Sequence, residues 1–528
     1  MSGMFFIMAM FFYLMGRTTQ EMRKKITWFS LCILSGVSAL ASKENAVMLP
    51  IVLYIFDLLL IQGVSRENIK RQILIAFIPL AIIGALTFVL TNPSTFLSGY
   101  DSEYKLLDRL LTQPRVLLFY LSLMIYPIAD RLTLIYDIPL STSLLSPWTT
   151  TPSICFWLVW IGLGLYLAGK RPLFSFCLLF FVVNHFVESS FIPLELVFEH
   201  RNYIPSMMLF CLAGVGIITF INYFSNKRLL TCLVFIFLTI FIIAQGHTVF
   251  QRNSLFENPL FIWSDNVLKS PGLSRPYTYL GNVYWELGRY EDAKKAALSS
   301  IVGKYSRRHL QAVPLSNLAN YYIYIQPSNP NNALNLYKQA LRVAPEYWPA
   351  RFGMATALLF LGQLDNARIQ LEKTLAVAPR HRNVLLLYSL VLLKQNDFSS
   401  AFNQAKMALA TDASPSLAYK VIGEVYRERK EYKQALGYWK RYSEANPTDI
   451  ESLFARMYLS ERMGDESELR KTAIETLLLK GNRTWDEFFK QIEFQSKTDI
   501  QIFSIEPQQA RQLIQTALKN EIIKTMER

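Results

Sequence analysis

The sequence predicts an all-α protein in which a polytopic transmembrane helical domain is followed by an α-solenoid. Two observations lead to this prediction. The first is that 52% of the 528 residues are hydrophobic, with long apolar runs before residue 253. The second is a 34-residue period in the remainder of the chain. We therefore expect a membrane domain over residues 1–252, helical repeats over 253–480 and a helical cap over 481–528.

Eight apolar runs approach the roughly 20 residues that a helix needs to cross a bilayer. They are Gly3–Met15, Ile26–Ala41, Ala46–Gln62, Ile73–Leu90, Ile154–Ala168, Leu173–Val187, Ile204–Phe224 and Leu229–Ala244. Each is interpreted as one crossing. The first run is short for a crossing. Eight crossings also place residue 1 outside, whereas a protein whose N-terminus lies in the cytoplasm would need an odd number of crossings before that residue. We therefore expect a truncated start.

Basic residues concentrate in alternate loops, and the positive-inside rule assigns those loops to the cytoplasm. The loops carry Arg17, Arg23, Lys24 and Lys25, then Arg66, Lys70 and Arg71, then Lys170 and Arg171, then Lys227 and Arg228. Residues 91–153 then form an external segment, in which Val116–Pro127 is interpreted as a re-entrant or interfacial helix. The repeats follow the last crossing and are expected outside, in the periplasm of a bacterial inner-membrane protein.

The period after Asn253 is carried by small residues and prolines. Alanine recurs at Ala333, Ala367, Ala401 and Ala435. This pattern is typical of tetratricopeptide repeats, where the small residue lets two antiparallel helices approach closely. An earlier unit shows nearly the full repeat pattern from Tyr277 to Ala293, and an insertion near Tyr305–His309 separates it from the next. A sixth, weaker unit covers Thr448–Lys480. About six repeats would present a concave face that binds peptide or protein segments.

Several other classes of function find no support. The net charge of +14 is spread over both halves of the chain. The basic residues of the first half lie in short loops, so the charge does not predict nucleic-acid binding. All five cysteines fall in apolar runs, which leaves no CxxC metal site. No GxGxxG or Walker pattern predicts a nucleotide site.

Two polar stretches interrupt the hydrophobic half, at Ser42–Asn45 and Phe198–Tyr203. Charges close to a bilayer are costly and usually serve a function. Both stretches fall at the external ends of predicted helices. An ordinary loop anchor is the alternative interpretation.

Three polar motifs together carry a family resemblance: Ser42–Asn45, Arg109–Arg115 and Glu199–Ser206. With the repeats, they resemble the membrane proteins related to the eukaryotic transmembrane O-mannosyltransferases, within the glycosyltransferase C superfamily. The resemblance implies transfer of a sugar from a polyprenyl-phosphate donor to an external acceptor, often a protein hydroxyl. The repeats would then bind the acceptor protein.

That reaction needs a carboxylate for the acceptor proton and a cation, or a divalent metal, for the departing phosphate. Arg201 is the preferred phosphate ligand because guanidinium can bind two oxygens, and Lys43 is the alternative. The predicted phosphate and substrate site comprises Lys43, Glu199, His200, Arg201 and Tyr203. Glu44 and Glu199 are candidate bases, but Glu44 could equally pair with Lys43 and Glu199 could be structural.

The sequence departs from the superfamily in its first external loop. The catalytic acidic residue normally follows the first membrane helix, and this chain has neither feature, so the general base is expected to be absent. The chain is then either an enzyme with an upstream part or a non-catalytic membrane-anchored repeat scaffold. Both hypotheses predict binding of a protein partner.

Overall fold

The computed structural model describes residues 1–70, 105–192, 194–224, 227–304, 308–325, 329–411, 417–485, 487–489, 502–503 and 506–518. These residues form helices and loops, with no strand among them. The predicted fold class is therefore confirmed. The chain separates into two compact units, Met1–Leu280 with Gly303–Arg308, and Gly281–Val302 with His309–Arg528.

The first unit contains nine α-helices in its described part. They are α1 (Ser2–Thr18), α2 (Met22–Ser42), α3 (Leu49–Phe56), α4 (Leu106–Ile125), α5 (Thr150–Leu167), α6 (Pro172–His185), α7 (Tyr203–Tyr223), α8 (Arg228–Leu255) and α9 (Pro259–Lys269). Short 3₁₀ turns at Glu44–Met48 and Glu199–Asn202 lead into α3 and α7, and Asp57–Gln62 continues α3.

Among the described residues of this unit, five helical segments are long and apolar enough to cross a membrane. They are Met22–Ser42, Glu44–Gln62, Thr150–Leu167, Glu199–Tyr223 and Arg228–Leu255. Helices α1 and α6 are apolar but shorter. Six of the eight predicted runs coincide with these helices within a few residues. The run Leu229–Ala244 begins with α8, which continues eleven residues further to Leu255, and Ile73–Leu90 lies outside the described residues.

Small and polar residues fix the packing of the first helices. A side chain at Gly16 would lie 3.2 Å from the ring of Phe29, so the glycine lets α1 and α2 approach closely. Arg17 donates from Nε to Oδ1 of Asp57 at 2.6 Å, and that carboxylate is 1% exposed. The ion pair offsets the charge of an acidic side chain in an apolar helix, and Nε2 of Gln62 also donates to that carboxylate.

Helix α4 supports the loop that follows α6. It contains most of the predicted Val116–Pro127 helix, but it begins ten residues earlier, at Leu106. Arg109 is fully buried and donates to the carbonyl oxygens of Glu188, Ser190 and Leu194. One guanidinium therefore satisfies three backbone acceptors and fixes the positions of these three residues.

The repeats form six helical pairs. These are α10 (Ser274–Glu286) with α11 (Tyr290–Val302), α12 (Ala312–Tyr324) with α13 (Pro330–Val343), α14 (Trp348–Phe360) with α15 (Leu364–Val377), α16 (Arg382–Lys394) with α17 (Phe398–Thr411), α18 (Leu417–Glu428) with α19 (Tyr432–Ala445), and α20 (Ile450–Met463) with α21 (Glu466–Lys480). The expected insertion after α11 falls partly on residues 305–307, outside the described residues, and continues as a 3₁₀ turn at Arg308–Gln311.

The periodic small residues lie at the centre of each pair, as the spacing predicts. The four alanines at the 34-residue spacing are each 0% exposed: Ala333, Ala367, Ala401 and Ala435. Gly353 serves the same purpose on α14, because a side chain there would lie 2.4 Å from the ring of Tyr337. Close approach of the paired helices thus depends on the absence of larger side chains.

The last pair is covered by the segment that follows it. Helix α22 (Pro507–Leu518) buries Leu513 and Ile514 in a cluster that also contains Phe503 and Trp439. The backbone N–H groups of Ile502 and Phe503 donate to Oε1 of Glu451. An apolar end of the repeat stack is thereby shielded from water, which is the role expected of a cap.

Candidate functional site

A cavity of about 270 Å³ lies within the first unit. It lies where α2 ends and α7 begins. Four of the residues predicted from sequence line it, namely Lys43, His200, Arg201 and Tyr203. The remaining lining residues are Met1, Ser2, Gly3, Ser42, Asn45, Asn184, Ile204 and Pro205. We call this cavity the cationic pocket.

Arg201 is the most firmly held side chain of the cationic pocket. It is 8% exposed, and its Nε lies 3.3 Å from Oε2 of Glu188. Its Nη1 donates to the carbonyl oxygen of Glu195, and the guanidinium lies 4.8 Å from the ring centre of Phe198. These contacts fix the orientation of the charge before any ligand arrives.

Glu188 is a component of this site that the sequence analysis missed. Its carboxylate is 4% exposed and accepts a hydrogen bond from Nδ2 of Asn45 at Oε1. Burial raises the pKa of Glu188 above its ordinary value, although the charge of Arg201 opposes the shift. The only sequence signal was an isolated acidic residue directly after an apolar run.

Lys43 supplies a second positive charge to the cationic pocket. It follows α2 in an extended conformation and is half-buried, and no ion pair of the described residues involves it. The proposed local pair with Glu44 is therefore not formed in this structure. Glu44 is exposed and does not line the cavity.

Glu199 points away from the cationic pocket. Its Oε1 accepts a hydrogen bond from the hydroxyl of Tyr136 at 2.7 Å and lies 3.5 Å from Nη2 of Arg252. Burial and the adjacent carboxylate raise the pKa of Tyr136. The structure places Glu199 in a hydrogen-bonded network between the end of α8 and the loop after α4, which is the structural alternative considered for it.

The cationic pocket combines the ammonium of Lys43, the guanidinium of Arg201 and the imidazole of His200 at the ends of apolar helices. The carboxylate of Glu188 pairs with Arg201, whereas no ion pair of the described residues involves Lys43. The charge of Lys43 therefore remains available for an anion. Within the described part of the chain, no three His, Cys, Asp or Glu side chains converge as a metal site. The cationic pocket is lined by no Asp, Glu or Cys of the described residues, so the residues that line it do not fit a divalent metal.

A second cavity, of about 280 Å³, lies among the first two helical pairs of the repeat unit. We call it the repeat cleft. Its lining is contributed by α10, α11 and α12 and consists of Gly281, Asn282, Trp285, Glu286, Ala293, Lys294, Asn317, Asn320 and Tyr321. Three carboxamides, one ammonium, one carboxylate and two aromatic rings thus line a common space.

Hydrogen bonds order the side chains of the repeat cleft. Nδ2 of Asn317 donates to Oδ1 of Asn282 at 2.8 Å, which links two successive pairs. Oδ1 of Asn320 accepts from the hydroxyl of Tyr337 at 2.5 Å. Lys294 lies with Nζ 4.7 Å from the ring centre of Tyr321. Carboxamides retain further donors and acceptors after these bonds, so the cleft can bind a polar ligand.

Sequence comparison relates the repeat unit to known proteins. Two models of the tetratricopeptide repeat match residues 274–301 and 324–391. Human tetratricopeptide repeat protein 21B is 29% identical over 147 residues. That match covers 26% of this chain and 11% of the human protein, so the chain spans only a small part of that relative.

Solved structures of repeat proteins are also similar to the chain. The Cut9–Hcn1 hetero-tetramer of the APC/C matches with 16% identity and a TM-score of 0.40 over 50% of this chain and 47% of the solved chain. Repeat proteins of Parabacteroides merdae and Thermus thermophilus match with 14% and 21% identity and TM-scores of 0.34 and 0.30. They cover 47% and 36% of this chain, and 99% and 98% of their own.

One match covers the pair α10 and α11, and the other runs from α13 into α16. The buried alanines recur at the period of the repeat. The C-terminal part of this chain is therefore an array of tetratricopeptide repeats.

Proposed function

We propose that the chain is a membrane-anchored repeat protein that binds an extended segment of a protein partner in the repeat cleft. The cleft itself carries this proposal. Asn282, Asn317 and Asn320 line one cavity, and each carboxamide offers both a donor and an acceptor. Peptide backbone presents the same two groups at every residue, so a row of carboxamides matches an extended segment without requiring one sequence.

Binding can be tested with peptides selected from a display library on the purified full chain in detergent. Asn317→Ala removes one donor and one acceptor from the cleft. Loss of one hydrogen bond costs about 1 kcal/mol, so the dissociation constant of the selected peptides should rise about fivefold.

Asn366→Ala is the matched control. Asn366 is exposed on α15, outside the cleft, and bonds only locally to Gln363. This variant should bind the peptides like the unchanged chain. Equal losses in the two variants would place the peptide somewhere other than the cleft.

A second candidate function is transfer of a sugar from a polyprenyl-phosphate donor at the cationic pocket. It is favoured by the convergence of Lys43, His200, Arg201 and Tyr203, which were selected from sequence as phosphate and substrate ligands. Lys43 and Arg201 would stabilise the negative charge of the departing phosphate. Neither Glu44 nor Glu199 lines the cavity, so we assign no general base from the described residues.

Lys43→Gln tests this second function without disturbing the buried Arg201–Glu188 pair. Charge-assisted hydrogen bonds contribute about 1.5 to 3 kcal/mol, so affinity for polyprenyl phosphate in nanodiscs should fall at least tenfold. Lys170→Gln, an exposed lysine after α5, is the control and should not change affinity. Unchanged affinity in Lys43→Gln would remove the cationic pocket as the phosphate site.

We also propose that the cationic pocket and the repeats face the external side of a bacterial inner membrane. The basic loops before α2 and before α6 support this orientation. A reporter fused after Asn253 that is active only outside the cytoplasm should give a signal. A reporter active only in the cytoplasm would reverse the orientation.

A further inference from the structure

The segment before α5 is unusual because it has no charge at all. From Ile138 to Gly169 the chain carries no Asp, Glu, Lys, Arg or His. This stretch includes the whole of α5 and the twelve residues that precede it. Loops that stay in the cytoplasm carry an excess of Lys and Arg, and this stretch has neither.

Three large apolar side chains project from this loop. Leu144 is 55% exposed, Leu145 is 78% exposed and Trp148 is 75% exposed. We call these three residues the apolar tip. Contiguous exposed apolar side chains of this kind mark an interaction surface rather than an ordinary loop.

The loop holds the apolar tip in place by bonding its polar groups to one another. The carbonyl oxygen of Ser146 accepts from the N–H of Thr142 at 3.0 Å, and Oγ of Ser143 accepts from the N–H of Ser146 at 3.0 Å. Oγ1 of Thr151 donates to the carbonyl oxygen of Leu144 at 2.6 Å. Because these backbone groups are satisfied internally, the loop can enter a less polar environment at reduced cost.

Helix length explains where the loop would lie. The 18 residues of α5 span about 27 Å, slightly less than the roughly 30 Å of a hydrocarbon core. The helix also exposes Leu158, Val159 and Leu163, so its apolar surface continues towards the tip. The loop therefore falls at the boundary between hydrocarbon and headgroups, the layer in which tryptophan is enriched.

We propose that the apolar tip inserts into the lipid interface and anchors the N-terminal end of α5 there. The proposal rests on the proposed membrane anchoring of the first unit. A lipid surface is the occupant that the observations favour, since the tip is continuous with the apolar face of α5 and the segment has no charges to pair with a protein partner.

The test uses tryptophan fluorescence of the full chain reconstituted in phosphatidylcholine vesicles. The lipids carry bromine, which quenches tryptophan on contact, either near the headgroup or near the chain ends. Subtracting the spectrum of Trp148→Phe from that of the unchanged chain isolates Trp148. Trp160→Phe isolates a residue in the middle of α5, and Trp285→Phe isolates one in the repeat cleft.

We expect Trp148 to be quenched at least twofold more strongly by bromine near the headgroup than by bromine near the chain ends. Trp160 should show the reverse order, and Trp285 should respond only to aqueous acrylamide. Quenching of Trp160 together with a Trp148 that responds only to acrylamide would overturn the anchoring of the tip and leave the membrane proposal intact.

Two other results also decide the matter. If bromine quenches neither Trp148 nor Trp160, the proposal that the first unit is anchored in a membrane is wrong. The proposed lipid contact of the apolar tip is then wrong as well. If Trp148 is shielded from both bromine and acrylamide while Trp160 is quenched, the tip is covered by protein, and the lipid assignment is overturned.

Discussion

Replacing Gly353 with alanine should destabilise the repeat unit and disturb the repeat cleft. Gly353 lies inside α14, where an added Cβ would come within 2.4 Å of two ring carbons of Tyr337. That ring is 1% exposed, so it packs against protein on all sides. Its hydroxyl donates to Asn320, which lines the cleft, so displacement of the ring reaches the proposed binding site.

The expected size follows from three contributions. Overpacking of a rigid buried ring costs about 3 kcal/mol, the upper end of the usual range. Alanine is favoured over glycine in a helix by about 1 kcal/mol, which offsets part of this cost. Loss of the Tyr337–Asn320 hydrogen bond adds about 1 kcal/mol. Gly353→Ala should therefore lower the free energy of unfolding by about 3 kcal/mol.

The assay is urea unfolding of the purified full chain in detergent, followed by circular dichroism and by proteolysis of the repeats. Gly437→Ala is the matched control, because Gly437 is an exposed helical glycine with nothing within 4 Å of an added Cβ. The control should stabilise the repeats by about 0.5 to 1 kcal/mol. Equal effects of the two substitutions would refute the close packing of Gly353 on Tyr337.

Two further predictions concern the buried charges of the last repeat. Arg456 is 6% exposed and forms ion pairs with Glu468 and Glu475. Arg456→Met should therefore lower the free energy of unfolding in urea by about 3 kcal/mol. A decrease below about 1 kcal/mol would contradict the pairing. Burial raises the pKa of Glu468, but hydrogen bonds from Arg456 and Lys440 outweigh burial and lower this pKa overall. The contribution of the ionised Glu468 to stability should therefore be lost as the pH falls below about 4.3. Glu468→Gln should flatten that acid dependence, and an unchanged pH profile would exclude Glu468 as its source.

The regular part of the fold could be predicted because its signals are periodic. The spacing of Ala333, Ala367, Ala401 and Ala435 predicts which face of each helix is buried, and all four prove to be fully buried. Hydropathy alone also located seven helices of the first unit. In both cases a local pattern is repeated often enough to identify a buried or apolar face.

The cationic pocket could be predicted only in part. Lys43 and Arg201 were recognised because a charge beside an apolar run is visible in the sequence, and they converge in the structure. Glu188 was missed and Glu199 lies in another network, because their partners are set by contacts distant in sequence. Glu199 meets Arg252, which is 53 positions away, and no periodicity reports such a pairing.

The proposed function requires an extended protein segment in the repeat cleft. Site-specific photo-crosslinking tests this directly, with benzoylphenylalanine placed at position 282 in the cleft or at position 366 on α15, and with the library-selected peptides as partners. We expect a crosslink from position 282 and none from position 366. A crosslink of equal yield from both positions, or none from position 282 despite binding, would contradict it.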